Sequence, residues 1–293
     1  LEILRDNVEE LGLTATAEQF DSTIAYTRTM LLEQSIELEV FENLNNESLE
    51  LSFSVLVKNK AGHKFPSGFP SRRAFVEFLL IDTEQGDTIF HSGGYNEDFE
   101  LIAHNEDFEP HYDFISKEDQ VQVYELVPAD INGDFTTILE RGYQTIKDNR
   151  LVPKGFSSDH FTYDTVAVVG MAVEDSNYNF NTDGSEGSGT DKISFGIKMG
   201  TFTGSVKAYA KVHYQTLSPR WINPLFEDAQ LPEIQHFKSM YETSDLQPIV
   251  ISSDSVDVAN IKLVSGVFNS YKTKQAAIFP NPILSGSTVQ VDP

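Results

Sequence analysis

The chain has 293 residues, of which 45 are acidic, 21 are lysine or arginine and none is cysteine, so its formal charge is −24. An acidic surface of this kind repels phosphate backbones, which argues against nucleic-acid binding. Without cysteine the chain has no disulfide, no thiolate metal ligand and no covalent attachment point for haem c, and it contains no apolar run of the roughly 18 residues that a transmembrane helix needs.

The first forty residues predict a single long helix. Thr16 and Gln19 have the spacing of a capping box, in which each side chain covers the backbone amide of the other. A stripe at helical spacing follows, which predicts a helix over about 17–38 within a helical lead-in of residues 1–47. The residues of this stripe are Phe20, Ile24, Thr27, Leu31 and Leu38.

From Leu49 the hydrophobic period changes to two, which indicates β-strands. Long polar connections join the strand patterns, so we expect a mainly β fold: an antiparallel β-sandwich over residues 48–248, preceded by the long helix. The last strand pattern places His213 on its outer face, where we expect it to be solvated. The predicted strands cover residues 49–57, 74–81, 88–91, 121–126, 166–173, 193–199 and 206–215.

The connection between the first two predicted strands, residues 59–75, is unusually cationic for so acidic a chain. It holds His63, and glycines and prolines restrict its backbone. An imidazole in such a loop could ligate a metal, and paired guanidinium groups could bind carboxylates in a bidentate manner. The alternative is a structural loop whose arginines pair with nearby acids. The cations are Lys60, Lys64, Arg72 and Arg73.

A second unusual stretch, residues 147–156, alternates charges before a Pro-Lys-Gly-Phe turn. Asp148 and Arg150 either orient a ligand beside His63 or form an ionic cluster with the loop that carries Arg72 and Arg73. We expect the Arg72/Arg73 and Asp148/Arg150 clusters to meet in space, because opposite charges in partly buried loops need partners.

The polar, glycine-rich segment 174–191 partly matches an oxygen-ligand calcium loop. Asn179, Asn181 and Asp183 have the spacing of the first ligand positions, and Asp175 could add a carboxylate. The twelfth position is Thr190 instead of glutamate. Calcium binding therefore competes with a solvated acidic loop as the interpretation of this segment.

Six blocks in a fixed order carry a family resemblance. They are residues 62–68 (Gly-His-Lys-Phe-Pro-Ser-Gly), 70–74 (Pro-Ser-Arg-Arg-Ala), 109–113 (Glu-Pro-His-Tyr-Asp), 121–125 (Val-Gln-Val-Tyr-Glu), 147–156 (Lys-Asp-Asn-Arg-Leu-Val-Pro-Lys-Gly-Phe) and 214–221 (Tyr-Gln-Thr-Leu-Ser-Pro-Arg-Trp). Together they resemble the C-terminal β-rich domain of bacterial multihaem c-type cytochromes, and the resemblance covers about residues 10–245.

Proteins of that family carry Cys-x-x-Cys-His motifs upstream, which this chain lacks. The resemblance therefore implies a haem-free, non-catalytic β domain that supports electron transfer, with haem c bound by segments outside this chain. It implies His63 as an axial ligand of a haem iron and Arg72, Arg73, Asp148 and Arg150 as further cofactor-binding residues. The implied partner is a haem-bearing segment of the same protein or a redox partner.

The end of the chain carries a second resemblance. Residues 276–282 (Ala-Ala-Ile-Phe-Pro-Asn-Pro) and 286–289 (Gly-Ser-Thr-Val) look like the start of a type IX secretion C-terminal sorting domain, after a linker from residue 249. This implies export to the cell surface or the medium. The residues leave two other functions open: a secreted, calcium-stabilised binding or adhesion module without redox chemistry, and a surface hydrolase that uses an acidic pair such as Glu118 and Asp119.

Overall fold

A computed structural model describes residues 1–43, 49–102, 107–227 and 230–263. The chain opens with the helices α1 (Glu2–Asp6) and α2 (Ala17–Met30), and a π-helical turn (Leu31–Ser35) follows α2. The capping box is present, since the Gln19 amide donates to the Thr16 hydroxyl and the Thr16 amide donates to the Gln19 side chain. No helix among the described residues is long and apolar enough to cross a membrane.

The helical segment is shorter than the predicted 17–38, because a β-strand begins at Ile36. Ile36, Leu38 and Val40 are all buried and alternate with more exposed residues. Ile36 and Leu38 therefore fit both the helical period and the strand period of two. Pairing with the next strand makes this segment a strand.

The fold is mainly β, as predicted, and nearly all of its strand pairs are antiparallel. One sheet has the order β1-β2-β9-β5, the second has the order β11-β10-β3-β4 with β6 also paired to β3, and β7 and β8 form a hairpin. Two helices, α3 (Pro219–Glu227) and α4 (Pro232–Glu242), precede the last strand. The strands are β1 (Ile36–Asn43), β2 (Glu50–Asn59), β3 (Arg73–Asp82), β4 (Thr88–Ser92), β5 (Phe114–Ile115), β6 (Val123–Tyr124), β7 (Leu126–Ala129), β8 (Gln144–Asp148), β9 (Thr190–Lys198), β10 (Phe202–Gln215) and β11 (Ile249–Leu263).

Aromatic residues in the core show that the two larger sheets pack face to face. Phe78 of β3 stacks on Phe195 of β9 with ring centroids 4.1 Å apart, and Phe53 of β2 contacts Phe78 at 5.7 Å. All three side chains are excluded from water. The contact joins strands of different sheets, which is the packing expected of a β-sandwich.

The sheets extend beyond the predicted boundaries of 48 and 248. β1 lies within the predicted helical lead-in and pairs with β2, and β11 lies within the predicted linker and pairs with β10. The residues that resemble a sorting domain, 276–289, lie outside the described part of the chain. Both added strands are defined by their pairing with a partner strand, which local patterns do not indicate.

Segment 166–173 does not form the predicted strand. It makes one bridge, from Val169 to Asp148, and then a short 3-10 turn over Met171–Val173. Gly170 has a φ of +87°, and a Cβ there would lie 3.2 Å from the carbonyl oxygen of Ile146. The apolar run is therefore interrupted by a turn that only glycine accommodates easily.

The expectation that His213 is solvated is wrong, because the residue is only 2% exposed. Its ring stacks on Phe75 with centroids 4.9 Å apart, and Nε2 lies 2.9 Å from Oε2 of Glu77. His91 of β4 and Lys211 of β10 also bind the Glu77 carboxylate. Burial acts to raise the pKa of Glu77, but the three hydrogen bonds outweigh it and hold that pKa far below its usual value.

Candidate functional site

Asn59, the last residue of β2, organises the start of the cationic loop. Its side chain is buried, and Nδ2 donates to the carbonyl oxygens of His63 and Leu151, both at 2.8 Å. Its Oδ1 accepts a hydrogen bond from the Ala61 amide at 2.8 Å. All of the polar atoms of this amide are therefore used to fix the backbone around His63.

Two further contacts anchor the loop on either side of His63. Lys60 donates from its backbone amide to the Ser35 carbonyl and from Nζ to the Glu33 carbonyl, both at 2.9 Å. Phe65 exchanges two backbone hydrogen bonds of 2.8 Å with Leu151, and its side chain is buried. The loop is thereby joined to the end of the opening helical segment and to the 147–156 stretch.

The imidazole of His63 is exposed, and its hydrogen bonding defines which nitrogen is protonated. Nδ1 lies 2.9 Å from the Lys64 carbonyl oxygen. A carbonyl oxygen only accepts, so Nδ1 carries the proton and Nε2 has the lone pair. Nε2 makes no hydrogen bond to any described residue. This is the arrangement in which a neutral imidazole ligates a metal through Nε2 while its other nitrogen is oriented by a backbone carbonyl.

The five other histidines that the structure describes are arranged differently. Four of them have Nε2 within 3.0 Å of a carboxylate oxygen. In the fifth, His160, Nδ1 accepts a hydrogen bond from the Thr162 amide, so Nε2 carries the proton. The four that face carboxylates are His91, His111, His213 and His236. Within the described residues, His63 alone combines exposure with a free Nε2 lone pair.

A buried ion-pair cluster stiffens the loop next to His63. Nζ of Lys64 lies 2.8 Å from Oδ2 of Asp148, and Arg150 binds both oxygens of the same carboxylate at 2.8 Å. Lys64 also donates to the Ala167 carbonyl at 2.9 Å. Burial lowers the pKa of Lys64, and the Asp148 carboxylate opposes that effect.

The cation that meets the 147–156 stretch is therefore Lys64, and the two arginines have other partners. Arg73 is 2% exposed and donates to Glu100 at 2.7 Å and to Gln215 at 2.9 Å. Arg72 donates to the carbonyl oxygen of Ser67 at 2.8 Å. The two segments meet through Lys64. The expected contact of Arg72 and Arg73 with Asp148 is not formed, because both arginines have partners elsewhere.

A second cluster, which the sequence analysis did not identify, lies in the interior. His111, Asp175 and Asp191 are all buried, and one potential ligand atom from each lies within 4.8 Å of the others. Asp175 and Asp191 stand at the two ends of the 174–191 segment. The sequence signal that could have found the cluster is the rigid Glu-Pro-His-Tyr-Asp block, which places a histidine among polar residues.

Two amide side chains determine the protonation of His111. Gln122 and Asn149 both direct their nitrogens at Nδ1, at 2.8 and 3.0 Å. Their oxygens accept from the backbone amides of Tyr112 and Glu125, which fixes the orientation of both groups. Nδ1 is therefore the acceptor, and Nε2 donates its proton to Asp175 at 3.0 Å.

This hydrogen bonding does not suit metal ligation by His111. A metal at Nε2 would displace the ring's proton while Nδ1 still faced two donors, which would leave the ring anionic. The cluster as built is a polar network that holds both ends of the 174–191 segment. Tyr124 and Gln122 donate to one oxygen of Asp191, and burial raises the pKa of Asp191.

The four residues predicted as calcium ligands all hydrogen-bond to protein groups, and two of them share Ser185 as a partner. Asp175 faces His111, and the Asn179 side-chain oxygen accepts from the Gly189 amide. The Asn181 side chain donates to Ser185, and Asp183 accepts from the amide and hydroxyl of Ser185. Calcium binding by this segment stays a prediction.

No protein-family model matches the chain, and no curated protein sequence matches it. A crystal structure of a penta-heme cytochrome c552 from Thermochromatium tepidum is similar, with 13% sequence identity and a TM-score of 0.45. The similarity covers 79% of this chain and 41% of that chain, so the match spans about two fifths of the cytochrome.

Proposed function

We propose that the chain is a non-catalytic β domain of an exported multihaem cytochrome, and that His63 supplies an axial ligand to a haem iron held by another segment or by a redox partner. The observation that carries the proposal is the free, exposed Nε2 of His63 on an anchored loop. Among the described histidines, this is the one whose geometry suits iron without rearrangement.

The residues around His63 fit the role of a preformed ligand loop. Asn59 holds the His63 carbonyl, the Lys64 carbonyl holds Nδ1, and Asp148 holds the Lys64 side chain. A ligand that is already oriented loses little conformational entropy on binding. The loop also contacts the end of the opening helical segment, which resembles the segment that follows the last haem in such cytochromes.

The chain's own contribution would be ligation, burial and partner contact, because it has no cysteine with which to attach haem c covalently. A bound haem supplies the electron-transfer chemistry, and its axial ligand and surroundings set its potential. His63 would present neutral Nε2 to the iron, and the hydrogen bond from Nδ1 to the Lys64 carbonyl would increase the basicity of the ring.

The test is a titration of the purified chain into a soluble c-type haem peptide whose iron has one histidine ligand and an open sixth position. We expect the ferric peptide to change from a high-spin to a low-spin absorption spectrum as His63 binds. His63→Ala should remove this change. His160→Ala is the matched control, because His160 is also exposed but has its proton on Nε2.

Two outcomes would contradict the proposal. In the first, the spectrum of the haem peptide stays high-spin when the unmodified chain is added. In the second, His160→Ala reduces the change to the low-spin spectrum as much as His63→Ala does. In the protein that carries the haem segment, His63→Ala should change the spectrum and the midpoint potential of one haem and leave the remaining haems as they were.

Export to the cell surface or medium is part of the proposal and rests on the resemblance of residues 276–289 to a sorting domain. A calcium-stabilised binding or adhesion module is the second candidate. The residues that favour it are Asp175, Asn179, Asn181 and Asp183. A calcium-dependent rise in melting temperature that Asp183→Asn removes would support it.

A further inference from the structure

A segment with several exposed apolar side chains contacts the His63 loop. Lys64, the residue after His63, donates from Nζ to the Ala167 carbonyl at 2.9 Å. The segment around that carbonyl, residues 161–173, exposes large apolar side chains to solvent. They are Phe161 (89% exposed), Val166 (45%), Met171 (60%) and Val173 (59%).

Backbone hydrogen bonds and short turns define the path of segment 161–173, so the exposure is a property of the fold. Val169 and Asp148 exchange two backbone hydrogen bonds of 2.9 and 3.1 Å, and 3-10 turns occupy Tyr163–Thr165 and Met171–Val173. The segment contains one charged side chain, Asp164, in a chain whose formal charge is −24. Exposed large apolar side chains that follow one another along a segment with little charge are typical of an interaction surface.

The loop beside this surface also has positive charge that is not paired internally. Lys64 and Arg73 bind buried carboxylates. Lys60 and Arg72, by contrast, donate only to carbonyl oxygens and form no ion pair with any described residue. An anionic group arriving at the loop would therefore meet two available cations.

We propose that segment 161–173 and the His63 loop form one docking surface for an iron porphyrin exposed by another polypeptide segment. The inference rests on the proposed function and specifies the partner of the same site. A porphyrin has an apolar ring and two propionates at one edge. The ring would lie against the exposed apolar side chains of the segment, while Lys60 and Arg72 complement the propionate charge.

The experiment measures the Kd of the same soluble c-type haem peptide for surface variants of the chain. Phe161→Ser and Met171→Ser should each raise the Kd about tenfold, because each removes one large apolar contact. The low-spin spectrum at saturation should not change, since His63 is intact. Lys60→Gln should raise the Kd at low salt and reduce its dependence on ionic strength.

Leu231→Ser is the matched control, because Leu231 is an aliphatic side chain that is 59% exposed at the start of α4. It should leave the Kd unchanged. All of these positions are exposed, so equal melting temperatures will establish that the variants fold.

The inference and the proposed function fail in different ways. If Phe161→Ser and Met171→Ser bind as tightly as the unmodified chain while His63→Ala loses the low-spin spectrum, His63 ligation stands and the docking surface is wrong. If no low-spin spectrum forms with the unmodified chain, the proposed function itself is wrong. An equal effect of Leu231→Ser would mean that the peptide binds exposed apolar side chains without preference, which also overturns the inference.

Discussion

Removing the Asp148 carboxylate should destabilise the fold strongly. In Asp148→Ala, Lys64 and Arg150 lose their shared partner, and their side chains are only 9% and 17% exposed. Breaking a buried ion pair by deleting one member typically costs 3–5 kcal/mol. We expect about 3 kcal/mol, the lower end, because Lys64 keeps its hydrogen bond to the Ala167 carbonyl.

The assay is urea unfolding at neutral pH, with the free energy of unfolding compared at constant m-value. Glu242→Ala is the control, since Glu242 pairs with Lys238 at 3.7 Å on the surface and such pairs contribute less than about 1 kcal/mol. Asp148→Ala combined with Lys64→Met should be more stable than Asp148→Ala alone, because the stranded ammonium is gone. A loss below about 1 kcal/mol for Asp148→Ala would refute the reasoning.

Two further predictions concern the sandwich. Phe195→Ala should lower the free energy of unfolding by about 3–5 kcal/mol in the same assay, because it opens a cavity against Phe78 between the sheets; a cost near zero would mean that the stacked pair does not join them. Glu77→Gln should reduce the loss of stability on acidification. The pKa of Glu77 is lower in the folded chain than its usual 4.5, so the unfolded chain binds more protons as the pH falls. The stability that the Glu77 carboxylate contributes is therefore complete above about pH 4.5 and is lost at lower pH. Urea midpoints at about pH 5 and pH 3 should therefore differ less for Glu77→Gln than for the unmodified chain, and an equal difference would contradict the assignment.

Local patterns were sufficient to predict the class of the fold and to locate the loop that carries His63. Alternation with period two is a property of neighbouring residues, so the β2, β3, β9 and β10 strands could be located from sequence within a few residues. The capping box at Thr16 is local in the same way. The concentration of charge around His63 also needs no tertiary knowledge, because it stands out against the acidity of the whole chain.

Which side chains pair with one another depended on tertiary contacts. Asp148 had several cations available in sequence, and only the fold places Lys64 against it instead of an arginine. The bond between His111 and Asp175 joins residues 64 positions apart, which no spacing rule connects. His213 has the polarity of a solvated residue, yet a second layer of apolar side chains covers its face of the sheet.

The sequence by itself therefore determined that this protein is mainly β, that α2 begins at a capping box, and that a cationic loop presents His63 between two strands. Only the tertiary structure decided where the helix gives way to β1, which groups are buried together, and which nitrogen of His63 has a free lone pair. The physical reason is that period and composition act between neighbours along the chain, whereas burial and hydrogen-bond partners are set by segments that meet only in the folded state.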